Sequence, residues 1–134
     1  MGRLLAIDYG KKRTGIAVSD PLQIIANGLT TVKTSEIFDF LRDYLQKEEV
    51  SAIVVGLPKQ MNGEMSENMQ RVQVFVHKLR QIYPSVPIAY FDERFSSKMA
   101  HQAMIDGGLK KKDRQNKALV DEISATIILQ GYME

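Results

Sequence analysis

The stretch "RLLAIDYGKKRTGIAVSD" occupies residues 3–20. Two short apolar runs, residues 4–7 and 15–18, flank the turn "YGKKRTG", with Lys11 and Lys12 near its tip. That pattern predicts a β-hairpin. The first run ends in an acid, Asp8, with Gly10 two residues on, and the second closes at Asp20. An ionised carboxylate in a sheet is costly unless something pairs with it. Asp8 is therefore either a turn residue, since Asp shortly before Gly is a common turn signal, or a ligand for a cation. Asp20, followed by Pro21, reads as turn punctuation.

Working outward, "IIANGLTTVK" (24–33) reads as a third strand with a bulge or bend at Asn27-Gly28. The period then changes. Ile37, Phe38, Leu41, Tyr44 and Leu45 fall on one face of an amphipathic helix, with Ser35 as its expected N-cap. "SAIVVGLP" (51–58) is a continuous apolar run stopped by Gly56 and Pro58, as expected of a strand buried on both faces. A second helix presents Met69, Val72, Val76, Leu79 and Tyr83, and Pro84 and Pro87 end it. "IAYFDER" (88–94) predicts another strand. Ser96 or Ser97 can cap a third helix closed by Gly107-Gly108. Residues 109–117 have no period and read as a loop. The last segment, 119–133, reads as a helix with Ile123, Ile127 and Ile128 on its apolar face. The order β-β-β-α-β-α-β-α-α predicts the α/β class: a mixed five-stranded sheet, three strands antiparallel and two parallel, flanked by helices.

The 134 residues suit a single domain spanning 1–134. Net charge is only +2, from 18 basic and 16 acidic residues, so a basic surface must come from local clustering. Cysteine is absent, which excludes disulfides, thiolate zinc sites and cysteine nucleophiles. No apolar run reaches membrane-spanning length, and the expected location is cytoplasmic.

In α/β sheets, sites gather at the carboxyl ends of the parallel strands. Asp8 ends the first strand, Gly56 and Pro58 the fourth, and Glu93 and Arg94 the fifth. Asp121 stands in the expected first turn of the last helix. If these ends converge, Asp8, Glu93 and Asp121 form an acidic cluster, which is stable mainly when divalent cations occupy it. All-oxygen donors point to Mg²⁺ or Mn²⁺. Two such ions about 4 Å apart would clamp the attacking and leaving oxygens of a phosphoryl displacement. Each acid also has a plainer reading. Asp121 can be a favourable charge at a helix N-terminus, and Glu93 a member of a surface ion pair. His77 and His101 read as surface or packing residues. Lys110, Lys111 and Lys112 are either a solvated loop or a phosphate contact beside the helix of Asp121.

"AIDYGKKRTGIAVSD", "IVVGLPKQMNGEMS", "YFDERFSS" and "VDEISATIILQGY" resemble the four motif blocks of the YqgF family, in family order and spacing. These are bacterial RNase H-like proteins described as Holliday junction resolvases and as pre-16S rRNA nucleases. The resemblance implies an RNase H-like domain and a divalent-metal-dependent endonuclease with two Mg²⁺ or Mn²⁺ ions. By motif, Asp8, Glu93 and Asp121 match the family's acidic, metal-binding catalytic triad. Glu122, next to Asp121, is a second acid in the last block. Gly10 and Gly15 match the hairpin glycines, Gly56 and Pro58 the loop beside the site, and Arg94 and Ser97 a phosphate or substrate contact. On this reading Lys11, Lys12, Arg13 and Lys110–Lys112 neutralise backbone phosphates.

The expected function is 5′-end processing of pre-16S rRNA, with cleavage of four-way DNA junctions as the alternative. A resolvase needs a two-fold dimer, and no segment reads as a strong interface, so the expectation is a monomer or weak homodimer with no membrane partner. An actin-like ATP-binding module would need a second domain that 134 residues cannot hold. A non-catalytic nucleic-acid-binding regulator keeping the fold is the remaining alternative.

Overall fold

The computed structural model describes residues 2–57, 67–92 and 117–133. Strands β1 (Arg3–Tyr9), β2 (Arg13–Ser19) and β3 (Ala26–Lys33) are followed by a single 3₁₀ turn, Thr34–Glu36, and helix α1 (Ile37–Lys47). Then come β4 (Val50–Leu57), α2 (Glu67–Ile82), β5 (Ile88–Asp92) and α3 (Lys117–Met133). The strands form one sheet in the order β3-β2-β1-β4-β5. The β1–β2 and β2–β3 pairs are antiparallel, and β1–β4 and β4–β5 are parallel. This is the mixed sheet expected from the element order, and the bulge falls where Asn27-Gly28 predicted it. Ile16 pairs with Thr30 and Ala17 with Gly28, which leaves Leu29 as the extra residue.

Alternation along the strands divides the core into two layers. Leu5, Ile7, Ile16, Val18, Ile53 and Val55 face α1 and α2, where Ile37, Leu41, Val72, Phe75, Val76 and Leu79 meet them. On the other face Leu4, Ala6, Ala17 and Val54 meet Ala125, Ile128 and Leu129 of α3. The side chains on the α3 face are smaller, so this single helix can settle close to the sheet.

Three expectations change in detail. The third strand starts at Ala26, because the Asp20 carboxylate holds residues 22–25 in a loop. Its oxygens accept the backbone N–H groups of Leu22 (3.2 Å), Ile24 (2.7 Å) and Ile25 (2.8 Å), while Gln23 adopts φ 61°. These bonds hold the Asp20 carboxyl below the usual carboxylate range, that of Ile25 foremost. Ser35 does not cap α1; it lies inside the 3₁₀ turn, and Glu36 stands at the N-cap with no side-chain bond. On α3 the buried residues are Ser124, Ala125, Ile128 and Leu129, whereas Ile123 and Ile127 are only half-buried. The helix expected between residues 96 and 108 lies outside the described residues, as does the expected 109–117 loop except Lys117, which belongs to α3.

Candidate active site

Leu4 and Ala6 point at α3, so Asp8, four and two residues on from them, stands on the same face at the carboxyl end of β1. Its neighbours across the sheet are both glycines. Asp8 pairs with Gly15 on β2, and on β4 Gly56 follows Val55, the partner of Ile7. Neither flanking position carries a side chain.

Gly15 also sets the position of the last helix. A Cβ on Gly15 would collide with the backbone carbonyl of Asp121, so α3 rests directly on the strand there. Asp8 and Asp121, from opposite ends of the chain, thus both adjoin Gly15, the one as its partner across the sheet and the other through its backbone. Arg13, on the same face as Gly15, donates from Nε to Asp121 Oδ2 at 3.0 Å. Both side chains of this pair are partly exposed, at 38% and 25%. Because α3 begins at Lys117, Asp121 lies in its second turn and not its first. The plainer reading of Asp121, as a charge on the helix N-terminus, loses force accordingly, since that effect fades beyond the first turn. Glu122 is directed elsewhere: its side chain lies over Gly28 on β3.

The hairpin turn is braced from the end of β3. Thr34 Oγ1 donates to the Gly10 carbonyl at 2.6 Å, and its backbone N–H donates to the Lys12 carbonyl at 3.0 Å. The Thr14 hydroxyl, 2.8 Å away, then supplies its own hydrogen to Thr34 Oγ1. A Cβ on Gly10 would meet the Arg13 carbonyl oxygen, so the turn closes only with glycine there. Lys11 and Lys12 are exposed at the tip of this fixed turn.

The structure thus brings together Asp8, Gly15, Arg13 and Asp121, with Gly56 alongside. Glu93, Arg94, Ser97, Lys110, Lys111, Lys112 and Pro58 lie outside the described residues. Among the described residues no three acidic or imidazole side chains assemble as a metal cage. The donors present, two carboxylates beside the buried glycines Gly15 and Gly56, are of the hard-oxygen type that suits Mg²⁺ or Mn²⁺. Sequence reasoning missed the Arg13–Asp121 pair; its members stand 108 positions apart, and no local pattern links them.

No helix among the described residues is long and apolar enough to cross a membrane. Among solved structures, RuvC of T. thermophilus in complex with a Holliday junction substrate matches with a TM-score of 0.56 at 19% identity. It covers 99% of this chain and 96% of its own. The fowlpox virus resolvase in complex with Holliday junction DNA matches with a TM-score of 0.62 at 10% identity, covering 98% and 96%. At these identities the likeness is one of fold. A protein of Phocaeicola vulgatus named "Putative pre-16S rRNA nuclease" is 66% identical over 134 residues, covering 100% of this chain and 96% of its own length. A Bacteroides fragilis protein of the same name is 63% identical, covering 100% and 97%. The family model described as RuvX, Holliday junction resolvase, matches residues 2–134. With the four motif blocks, the sheet order and relatives matched end to end all in agreement, the chain belongs to the RuvX family.

Proposed function

We propose that this chain is a divalent-metal-dependent endonuclease whose substrate is the 5′ leader of pre-16S rRNA, with Asp8, Glu93 and Asp121 as its catalytic carboxylates. The observation that carries the reading is the meeting of Asp8 and Asp121 over Gly15, in a chain whose full-length relatives carry the name of pre-16S rRNA nuclease. Asp8, Glu93 and Asp121 would together hold the cations. Bound Mg²⁺ or Mn²⁺ would supply activation of the attacking water and neutralise charge on the leaving 3′-oxygen. The braced turn holds the exposed Lys11 and Lys12 beside the proposed path of the phosphates. Arg13 restrains the Asp121 carboxylate through its 3.0 Å bond and adds positive charge beside the path of the strand. Arg94, Ser97 and Lys110–Lys112 are proposed as further phosphate contacts. The location that fits this work is the cytoplasm.

A second reading is junction resolution, favoured by the family description. It requires two symmetric cuts and hence a two-fold dimer, whereas we read the chain as a monomer or weak homodimer. One assay separates these readings. The protein is incubated with Mg²⁺ or Mn²⁺ on a precursor rRNA leader and on a four-way DNA junction, beside Asp8→Asn and Glu93→Gln. The expected result is cleavage of the leader, reduced at least 100-fold in both variants while their thermal melts match wild type. Equal cleavage by the variants would overturn the triad. Cleavage of the junction alone, by a protein sedimenting as a dimer, would replace the rRNA reading. Binding of either nucleic acid without any cleavage would leave the regulator in its place.

A further inference from the structure

Alternation places Tyr9, the residue after Asp8, on the opposite face of the sheet, among the side chains of α1 and α2. A groove of about 690 Å³ opens there, within the roughly 300–1,000 Å³ range of small-ligand sites. Its floor is the buried Phe75 ring. Tyr9 stacks on that ring at 4.4 Å and 17°, and Phe38 packs against it at 5.3 Å with a 52° tilt. Tyr9 and Phe38 are themselves only half-buried, so each presents ring surface to the groove. Arg71 and Lys78 supply positive charge, with Lys78 Nζ 5.0 Å from the centroid of Phe38. The described lining residues include no carboxylate. Asp39, the exposed acid beside Phe38, is engaged by Arg42 at 3.7 Å. Val74, 70% exposed, forms an apolar wall next to these cations.

Half-open aromatic rings beside cations are the arrangement that binds unpaired nucleotides, with bases stacking on the rings and phosphates meeting the charges. An acidic peptide would use the cations but leave the rings idle, and a neutral apolar one the reverse. We propose that the groove between α1 and α2 holds an unpaired nucleotide of the nucleic acid, its base against Tyr9 and Phe38 and its phosphate against Arg71 and Lys78. Because Tyr9 directly follows Asp8 and the exposed Lys11 and Lys12 stand in the turn just after it, a strand leaving the candidate active site can pass over the turn into this groove. That path rests on the nuclease reading; binding in the groove does not.

The test is a chemical-shift titration of the full chain with hexauridylate and with hexathymidylate, at low salt and without divalent cations. The expected shifts centre on Tyr9, Phe38, Val74 and Lys78. Phe38→Leu keeps apolar bulk but loses the stacking ring, and affinity should fall roughly 5- to 150-fold. Val74→Glu places a negative charge on an exposed position, and affinity should fall at least 5-fold even if Phe38→Leu proves unstable. Arg71→Gln with Lys78→Gln should lower the slope of log K against log salt by about 1.4. Binding of either hexamer with this pattern supports the proposal, and the preferred sugar identifies the strand. No binding, shifts confined to the α3 face, or a Val74→Glu protein that binds as wild type would overturn it. A wild-type protein that binds the hexamer in the groove yet cleaves nothing would refute the nuclease reading alone.

Discussion

Replacing Gly15 with alanine tests whether close approach of α3 sets the site. The new methyl group would land on the Asp121 carbonyl, which is backbone and cannot swing aside as a side-chain tip can. Overpacking of this kind costs about 1–3 kcal/mol. Unfolding entropy of about 2.1 cal/mol/K per residue over 134 residues gives about 0.28 kcal/mol/K, so a loss of about 2 kcal/mol lowers Tm by about 7 °C. The helix relieves the clash by moving outward, and it carries Asp121 with it. A misplacement near 1 Å can lower a rate about 100-fold, so cleavage should fall far more than stability accounts for. Gly28→Ala is the matched control, because its methyl would meet only the flexible side chain of Glu122. Calorimetry and the leader-cleavage assay read both effects. A Gly15→Ala protein within about 0.5 kcal/mol of wild type, or one no less stable than Gly28→Ala, would refute the reasoning.

Phe75→Ala should lose about 3–5 kcal/mol in urea denaturation, since the residue is only 3% exposed and its ring packs against both Tyr9 and Phe38. Asp20→Ala should destabilise the 20–25 loop in a pH-dependent way. The folded Asp20 carboxyl is depressed, so its contribution is full above the ordinary carboxylate range and is lost as pH falls through the depressed value. Melting temperatures of the two proteins should therefore differ at pH 6, and the difference should shrink as pH falls below the ordinary carboxylate range. Burial pushes the Tyr9 phenol up while Arg71 opposes it, so Arg71→Gln should raise it further. Here the sign is reversed: the folded group holds its proton longer, and stability declines as pH rises above about 10 toward the raised value, which alkaline melts would record. Arg13→Gln should cost under about 1 kcal/mol because its pair is partly exposed, yet tighten Mn²⁺ binding in calorimetry by removing a competitor for Asp121.

Much of the fold was legible because its signals are local. The run "SAIVVGLP" could only be a buried strand, and alternation from Leu4 and Ala6 put Asp8 on a defined face once that face was known. Ser35 misled because its hydroxyl type marks caps in general, while here the neighbouring Thr34 is committed to the hairpin turn. Phe75 went unnoticed as a core residue because it adjoins Val76 and broadens the face beyond the simple period. On α3 the apolar residues surround the helix, so the period could not say that Ala125 and Leu129, and not Ile123 and Ile127, are the buried ones. Among the site residues, the motif blocks singled out Asp8 and Asp121, but what joins them is the bare surface of Gly15. A missing side chain leaves no trace in a pattern of periods and charges.

That point bears on what holds the candidate site together. Glycine lies at the contact of α3 with three strands: Gly15 under Asp121, Gly28 under Glu122, and Gly131 of the helix against the Phe91 ring. Each contact tolerates no added methyl without movement of a neighbour, so together they fix the height of the helix along its length. The Arg13–Asp121 bond joins the same surfaces, but a partly exposed ion pair contributes at most about 1 kcal/mol. Overpacking at Gly15, where the added methyl meets helix backbone, costs as much or more. The position of the Asp121 backbone is therefore a matter of packing, and Arg13 governs only how much of its carboxylate charge is open to another cation. Two different properties of β2, a residue with no side chain and a residue with a long charged one, separately control where the acid stands and how its charge is balanced.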